Sequence, residues 1–94
     1  MIGGNVNEFI DHSTYEEVAV MYNSRKFFFR GLMRDRDTQL YTFEIEYWGY
    51  DTAETVYCAV AKTGKECMER FLSEPIIDGK RFWEIEKDME WVEW

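Results

Sequence analysis

The chain is poor in the residues from which catalytic sites, metal centres and disulfide scaffolds are commonly built. Its 94 residues include 1 proline, 2 cysteines and 1 histidine. A disulfide framework needs several cysteine pairs and a zinc site needs four ligands. Cys58 and Cys67 are therefore expected to be reduced thiols in the core, with Cys58 the more buried. We expect no metal and no cofactor.

Long apolar runs and an excess of cations are missing as well. The short apolar runs exclude a membrane-spanning helix, and the opening residues MIGG lack the basic and apolar regions of a secretory signal. We therefore expect a cytoplasmic protein without membrane contact. With 11 Lys and Arg against 19 Asp and Glu, the net charge is −8. Direct nucleic-acid binding, which depends on cations that displace counterions, is not expected.

Aromatic and apolar side chains are plentiful, at 18% and 46% of the chain. This content supports a packed core, and the length leaves room for only one. Residues 1–94 are therefore expected to form a single small acidic domain.

The clearest structural signal is a β-hairpin built from residues 26–34 and 39–48. Apolar residues alternate along both runs, which is typical of strands with one buried face. A three-residue tip at residues 36–38 would pair Met33 with Tyr41, Gly31 with Phe43, Phe29 with Ile45, and Phe27 with Tyr47. All eight would share the core face. The reverse face would then set Arg30 opposite Glu44 and align Phe28, Leu32 and Trp48 in an apolar strip. Such a strip predicts either a covering element, which the C-terminal segment would supply, or a contact with another protein.

A second hairpin is predicted just before the first. Residues 18–22 alternate, and Asn23-Ser24 is typical of a two-residue turn. This arrangement would pair Tyr22 with Arg25, Val20 with Phe27, and Val18 with Phe29. Residues 13–16 match a capping box that would instead begin a helix there, but the alternation favours the strand.

Helices are expected near both ends of the chain. Helical spacing of apolar residues predicts a short helix over residues 5–12, and a capping box at Thr63 predicts another over residues 64–73, after a strand at 55–61. Residues 80–90 fit helix or strand by spacing, and their composition favours a short helix. The fold class is therefore α+β. Its antiparallel four-stranded sheet follows hairpin (meander) order, with an N-terminal helix and one or two C-terminal helices on one face.

No group of residues marks a catalytic site. His12 follows Asp11, but neighbours in sequence seldom face each other and no nucleophile stands nearby. Glu44 and Glu46 have the spacing of any solvated strand face. We therefore expect no enzymatic activity.

Acids interleaved with tryptophans in the C-terminal segment suggest a protein-binding surface, because such a mixture suits a basic, partly apolar partner. The predicted partner-binding residues, including two strand glutamates, are Glu84, Glu86, Asp88, Glu90, Trp91, Glu93, Trp94, Glu44 and Glu46. An alternative is that the C-terminal tryptophans close the core while the acids face water. The closing EPIIDGKRFWEIEKDMEWVEW also resembles the ends of short acidic bacterial or phage-type proteins, a resemblance that implies no particular site.

The hypothesis in its sharpest form is a phage- or plasmid-type inhibitor that mimics nucleic acid. Its carboxylates would stand in for phosphates on the basic surface of a nucleic-acid-handling enzyme. The alternative hypothesis is a structural homodimer joined through an exposed sheet face or edge.

Overall fold

A tight turn fixes the first two strands of the sheet. In the computed structural model, which describes residues 1–92, strand β1 (Val18–Tyr22) pairs antiparallel with β2 (Arg25–Arg34). Asn23 and Ser24 both have positive φ, 51° and 60°, as a two-residue type I′ turn requires. All three predicted pairs are confirmed, from Val18 opposite Phe29 to Tyr22 opposite Arg25.

The sheet continues on both sides of this hairpin. Strands β3 (Tyr41–Trp48) and β4 (Ala53–Ala61) follow in meander order, which confirms the predicted four strands. The fifth strand of this sheet is β7 (Glu90–Val92), since β5 (Pro75–Ile77) and β6 (Lys80–Arg81) form a separate two-stranded sheet. It was not predicted, and it pairs antiparallel with β1. The spatial order is β4-β3-β2-β1-β7. Ile2 pairs with β7 in turn, since its N–H donates to the Met89 carbonyl and its carbonyl accepts from Trp91 N–H.

Two ten-residue helices pack on one face of this sheet. Helix α1 (Val6–Tyr15) begins at the N-cap Asn5 and runs three residues beyond the predicted end, so residues 13–16 do not start a helix. Helix α2 (Gly64–Ser73) has the predicted bounds, and the Thr63 hydroxyl accepts from Glu66 N–H as the capping box requires.

The C-terminal segment differs from the predicted helix over 80–90. It holds strands β5 (Pro75–Ile77) and β6 (Lys80–Arg81), helix α3 (Phe82–Ile85), a 3₁₀ turn (Glu86–Asp88), and then β7. An Asp78-Gly79 turn with φ of 54° and 72° folds β5 onto β6. Phe82, Ile85 and Met89, which have helical spacing, are buried. After Met89 the chain is extended, because its backbone pairs with β1 and with Ile2.

Aromatic rings fill the core between the sheet and the helices. Phe29 of β2 meets Phe9 of α1 edge-on at 5.3 Å and Phe71 of α2 at 5.7 Å between centroids. Phe43 stacks on Phe71 at 4.3 Å, and Phe82 of α3 contacts both helices. Since a fully buried Phe contributes about 1.5–3 kcal/mol of burial free energy, these rings hold both helices against the sheet.

A β-bulge interrupts the central hairpin, and it makes half of the predicted register wrong. Phe27–Tyr47 and Phe29–Ile45 pair as predicted, but the register then shifts and Leu32 lies opposite Phe43. The strands end in a six-residue loop at residues 35–40 instead of a three-residue tip.

Gly31 explains the shift in register. Its φ is +86°, and a Cβ there would lie 3.2 Å from the Glu16 carbonyl oxygen. Glycine fits both the left-handed backbone and the close approach. The consequence is that Leu32 turns towards the core, while Met33 turns to the other face. The predicted Gly31–Phe43 and Met33–Tyr41 pairs do not form.

Candidate protein-binding surface

The sheet face opposite the helices, called here the outer face, carries a mixture of apolar and charged side chains. Cross-strand register places the outer-face residues in two rows, Trp48-Lys26-Met21-Glu90 and Glu46-Phe28-Ala19-Val92. The aromatic contacts place α1, α2 and α3 on the other face. On the outer face Ala19 and Phe28 are buried, whereas Trp48 is half exposed.

An aromatic pair lies on the outer face, where Phe28 of β2 meets Trp48 at the end of β3. The rings of Phe28 and Trp48 lie 4.8 Å apart between centroids. Phe28 is only 5% exposed, whereas Trp48 is 51% exposed. The Trp48 indole N–H donates to Glu46 Oε2 at 3.1 Å, and Lys26 Nζ lies 5.3 Å from the Phe28 ring centroid. The indole is therefore held in place while half of its surface meets solvent.

Charged side chains are arranged around this pair. Arg30 donates to Glu46 Oε1 at 2.9 Å and lies 3.7 Å from Glu17. The predicted Arg30–Glu44 pairing is wrong, since the bulge at Gly31 breaks the regular ladder beside Arg30. Glu44 instead accepts a weak hydrogen bond from the Cys58 thiol at 3.8 Å. Among residues 1–92, Glu44 and Glu90 form no ion pair.

The two thiols are placed in the reverse of the predicted order. Cys58 is exposed on the outer face of β4, and Cys67 is a buried residue of α2. The prediction failed because Ala59 and Ala61, which are small enough for α2 to approach closely, face the core and turn Cys58 outwards. Partial burial raises the pKa of both thiols, and the Glu44 carboxylate raises that of Cys58 further. Neither is activated as a nucleophile.

The predicted C-terminal residues do not form one surface. Glu84 accepts from Arg81 N–H at 3.1 Å, and Glu86 lies 2.9 Å from the Met1 α-amino nitrogen. Asp88 is exposed in the 3₁₀ turn, on the helical side of the molecule. Glu90 lies opposite Met21 and so joins Glu44 and Glu46 on the outer face. Glu93 and Trp94 lie outside the described residues.

Trp91 packs against the core. Its ring meets Phe9 edge-on at 5.5 Å and His12 at 5.2 Å between centroids. The alternative in which C-terminal tryptophans close the core is therefore confirmed for Trp91, but Trp83 on α3 is 53% exposed. On α3 the core-facing positions are taken by Phe82 and Ile85, which are buried, so Trp83 lies on the exposed side of that turn.

His12 serves the end of a helix. It lies in the last turn of α1, where its Nδ1 is 2.7 Å from Glu16 Oε1. Its partner Glu16 is an exposed carboxylate, and among the hydrogen bonds described for residues 1–92 no serine, threonine or cysteine side chain bonds to His12. Within residues 1–92 no group of His, Cys, Asp and Glu is arranged to hold a metal ion.

A network at the β4 edge was missed by sequence reasoning. The Tyr57 hydroxyl donates to Glu74 Oε1 at 2.6 Å, and Arg70 donates to Glu74 Oε2 and to the Val60 carbonyl. Burial, followed by the bond to Glu74, raises the pKa of Tyr57, while that same bond lowers the pKa of Glu74. Arg70 and Glu74 are an i, i+4 pair at the end of α2, a spacing that the sequence shows. Tyr57 lies on β4 and joins them only because α2 packs beside that strand, which no local pattern reveals.

Comparison with protein-family models, curated proteins and solved structures gives no match to this chain. No helix in the described part of the chain has both the length and the apolar character needed to cross a membrane.

Proposed function

We propose that this protein is a non-enzymatic binding module that docks a basic partner protein on its outer face. The observation that carries the proposal is the half-exposed Trp48, whose ring lies against Phe28 on the sheet face opposite α1, α2 and α3. Tryptophan is enriched among the residues that contribute most to binding. An apolar centre with a charged rim is the common anatomy of an interface.

Charge indicates the kind of partner. The outer face carries the acids Glu17, Glu44, Glu46 and Glu90 against the cations Lys26 and Arg30. It is therefore acidic around its apolar centre, and a partner with lysines or arginines around an apolar patch would complement it. A cytoplasmic setting is part of the proposal.

The sharper form of the proposal is an inhibitor that mimics nucleic acid, of the kind that phages and plasmids use against host enzymes. Glu44 and Glu46 stand two residues apart on β3, so their Cα atoms are separated by about 6.8 Å. Glu46 is bonded to Arg30 and Trp48, so the carboxylates that would stand in for phosphates are those of Glu44 and Glu90, which form no ion pair within residues 1–92. This form predicts binding that weakens steeply with salt, whereas a partner held by apolar contacts alone would be much less sensitive.

The chain offers a matched pair of variants to test the surface. Trp48 and Trp83 are almost equally exposed, but they lie on opposite sides of the molecule. We expect affinity capture from host lysate at low salt to recover a basic protein with the wild type and with Trp83→Ala, but not with Trp48→Ala. Recovery of the same protein by Trp48→Ala, or its loss with Trp83→Ala alone, would overturn the assignment of the outer face.

A homodimer joined through a sheet edge is the second candidate. The favouring observation is β4, a nine-residue edge strand without lysine, arginine or proline, the residues that commonly protect such edges. Arg70 covers part of that edge through its bond to the Val60 carbonyl. Size-exclusion chromatography with light scattering separates the candidates. A dimer that persists in Trp48→Ala would favour the edge, and a monomer would remove this candidate.

A further inference from the structure

The loop between β2 and β3 forms a cationic end on an acidic molecule. A surface cavity of about 370 Å³ lies there, lined by Arg34, Arg36 and Gln39. Lys62 is at the same end, because β4 finishes at Ala61 opposite Tyr41, which in turn lies opposite Arg34. Four of the chain's cations, counting Lys65 in the first turn of α2, therefore lie at this end in a protein of net charge −8.

The loop that carries the cavity is held in shape by its own hydrogen bonds. The Asp35 carboxylate accepts from the backbone N–H groups of Asp37 and Thr38 at 2.8 and 3.2 Å. Backbone bonds also join Asp35 to Gln39 and Leu40 at 2.8 and 2.9 Å. One of the two loop carboxylates is thus engaged within the loop, and the backbone that carries the cavity-lining side chains is held in shape before a ligand arrives.

The two guanidinium groups keep most of their donors available. Arg34 lies 5.8 Å from the Tyr41 ring centroid and donates to Gln39 Oε1 at a long 3.4 Å. Within the described part of the chain, Arg36 makes no hydrogen bond or ion pair. A guanidinium presents a planar fork of N–H donors that matches the oxygens of a phosphate group.

We propose that this cavity binds a small phosphate-type oxyanion, either inorganic phosphate or a small phosphomonoester. The volume lies at the low end of the range for small-molecule sites, which suits a ligand of this size. A nucleic-acid strand would have to extend past Asp37 and the acidic remainder of the surface, where its phosphates would be repelled. The site stands apart from the outer-face aromatic pair and does not depend on the proposed function.

The test is a titration of the full chain followed by nuclear magnetic resonance. We expect inorganic phosphate and phosphoserine to cause saturable shifts in the amide signals of residues 34–40, while chloride at the same ionic strength does not. A lower dissociation constant for phosphoserine would assign a phosphomonoester as the ligand, and a lower one for inorganic phosphate would assign the free ion. Shifts that chloride reproduces would mean ionic screening only and would overturn the proposal.

Variants separate a built site from general positive charge. Arg36→Gln is expected to weaken binding about fivefold, the effect of one exposed charged contact, and Arg36→Lys to weaken it less. Lys87→Gln removes the same charge from the 3₁₀ turn and should leave binding unchanged. Equal weakening in Arg36→Gln and Lys87→Gln would contradict a site at the loop. Unchanged amide signals of β1 in each variant confirm that the fold is intact.

Discussion

Phe28 and Phe29 are neighbours in β2, yet they lie on the two different faces of the sheet. Phe29 is fully buried beneath rings from α1 and α2, which form a second layer over the core face. Phe28, on the other face, is 5% exposed, and its ring lies 4.8 Å from that of Trp48 between centroids. One face is thus closed by the protein's own helices. The other face lies away from α1, α2 and α3, and Trp48 is half exposed on it.

The largest expected difference between the faces is in stability. Phe29→Ala should lower the free energy of unfolding by about 3–5 kcal/mol, since it removes a ring from the centre of the packed layer. Trp48→Ala, on the outer face, should cost at most about 1 kcal/mol. Urea unfolding of the wild type and both variants measures the two losses in free energy of unfolding. An equal loss for Trp48→Ala would mean that the outer face is also essential to the fold.

The next largest effect concerns the bulge that turns Leu32 to the core face and Met33 to the outer face. Gly31→Ala should cost about 2–3 kcal/mol, because it combines a positive φ with a close contact to the Glu16 carbonyl. Gly79→Ala is the matched control, since Gly79 has φ +72° and no atom within 4 Å of an added Cβ. That variant should lose only about 1 kcal/mol. Equal losses in thermal unfolding would show that the Glu16 contact has no influence on the bulge.

The smallest effect compares the two thiols. Cys58 should be alkylated in the native protein, and Cys67 only when the protein unfolds, because Cys67 is buried. Partial burial and the Glu44 carboxylate raise the pKa of Cys58, so less of the reactive thiolate is present at a given pH. Glu44→Gln should lower that pKa and speed alkylation near pH 8 about twofold. Mass spectrometry follows both sites, and slower alkylation in Glu44→Gln would contradict the described contact.

The sequence predicts most where two local signals agree. The β1–β2 hairpin has a turn that requires positive φ and strands whose alternation permits one register, so every predicted pair forms. Along the rest of β2 the alternation was read correctly as far as Phe29. Beyond Phe29 the register depends on the close approach of Gly31 to the Glu16 backbone, and the local alternation of residues cannot predict such a contact.

The residues of the outer face also divide into those that strand alternation predicts and those that distant pairing brings there. Glu44, Glu46 and Trp48 share a strand face by simple alternation, so their association was predictable. Glu90 joins them only because β7 pairs with β1, two strands about 70 residues apart in sequence, and no local pattern reveals such a pairing. Leu32 was predicted to lie in the apolar strip with Phe28 and Trp48, but the bulge at Gly31 turns it towards the core.

The most direct test of the account is carboxylate footprinting of the complex with the captured partner. Solvent-exposed acids are modified with a carbodiimide and an amine, and each site is quantified with and without the partner. We expect protection of Glu44 and Glu90 on the outer face, with Glu8 on α1 and Asp88 in the 3₁₀ turn modified as in the free protein. Protection of Glu8 and Asp88 with Glu44 left reactive would contradict docking on the outer face.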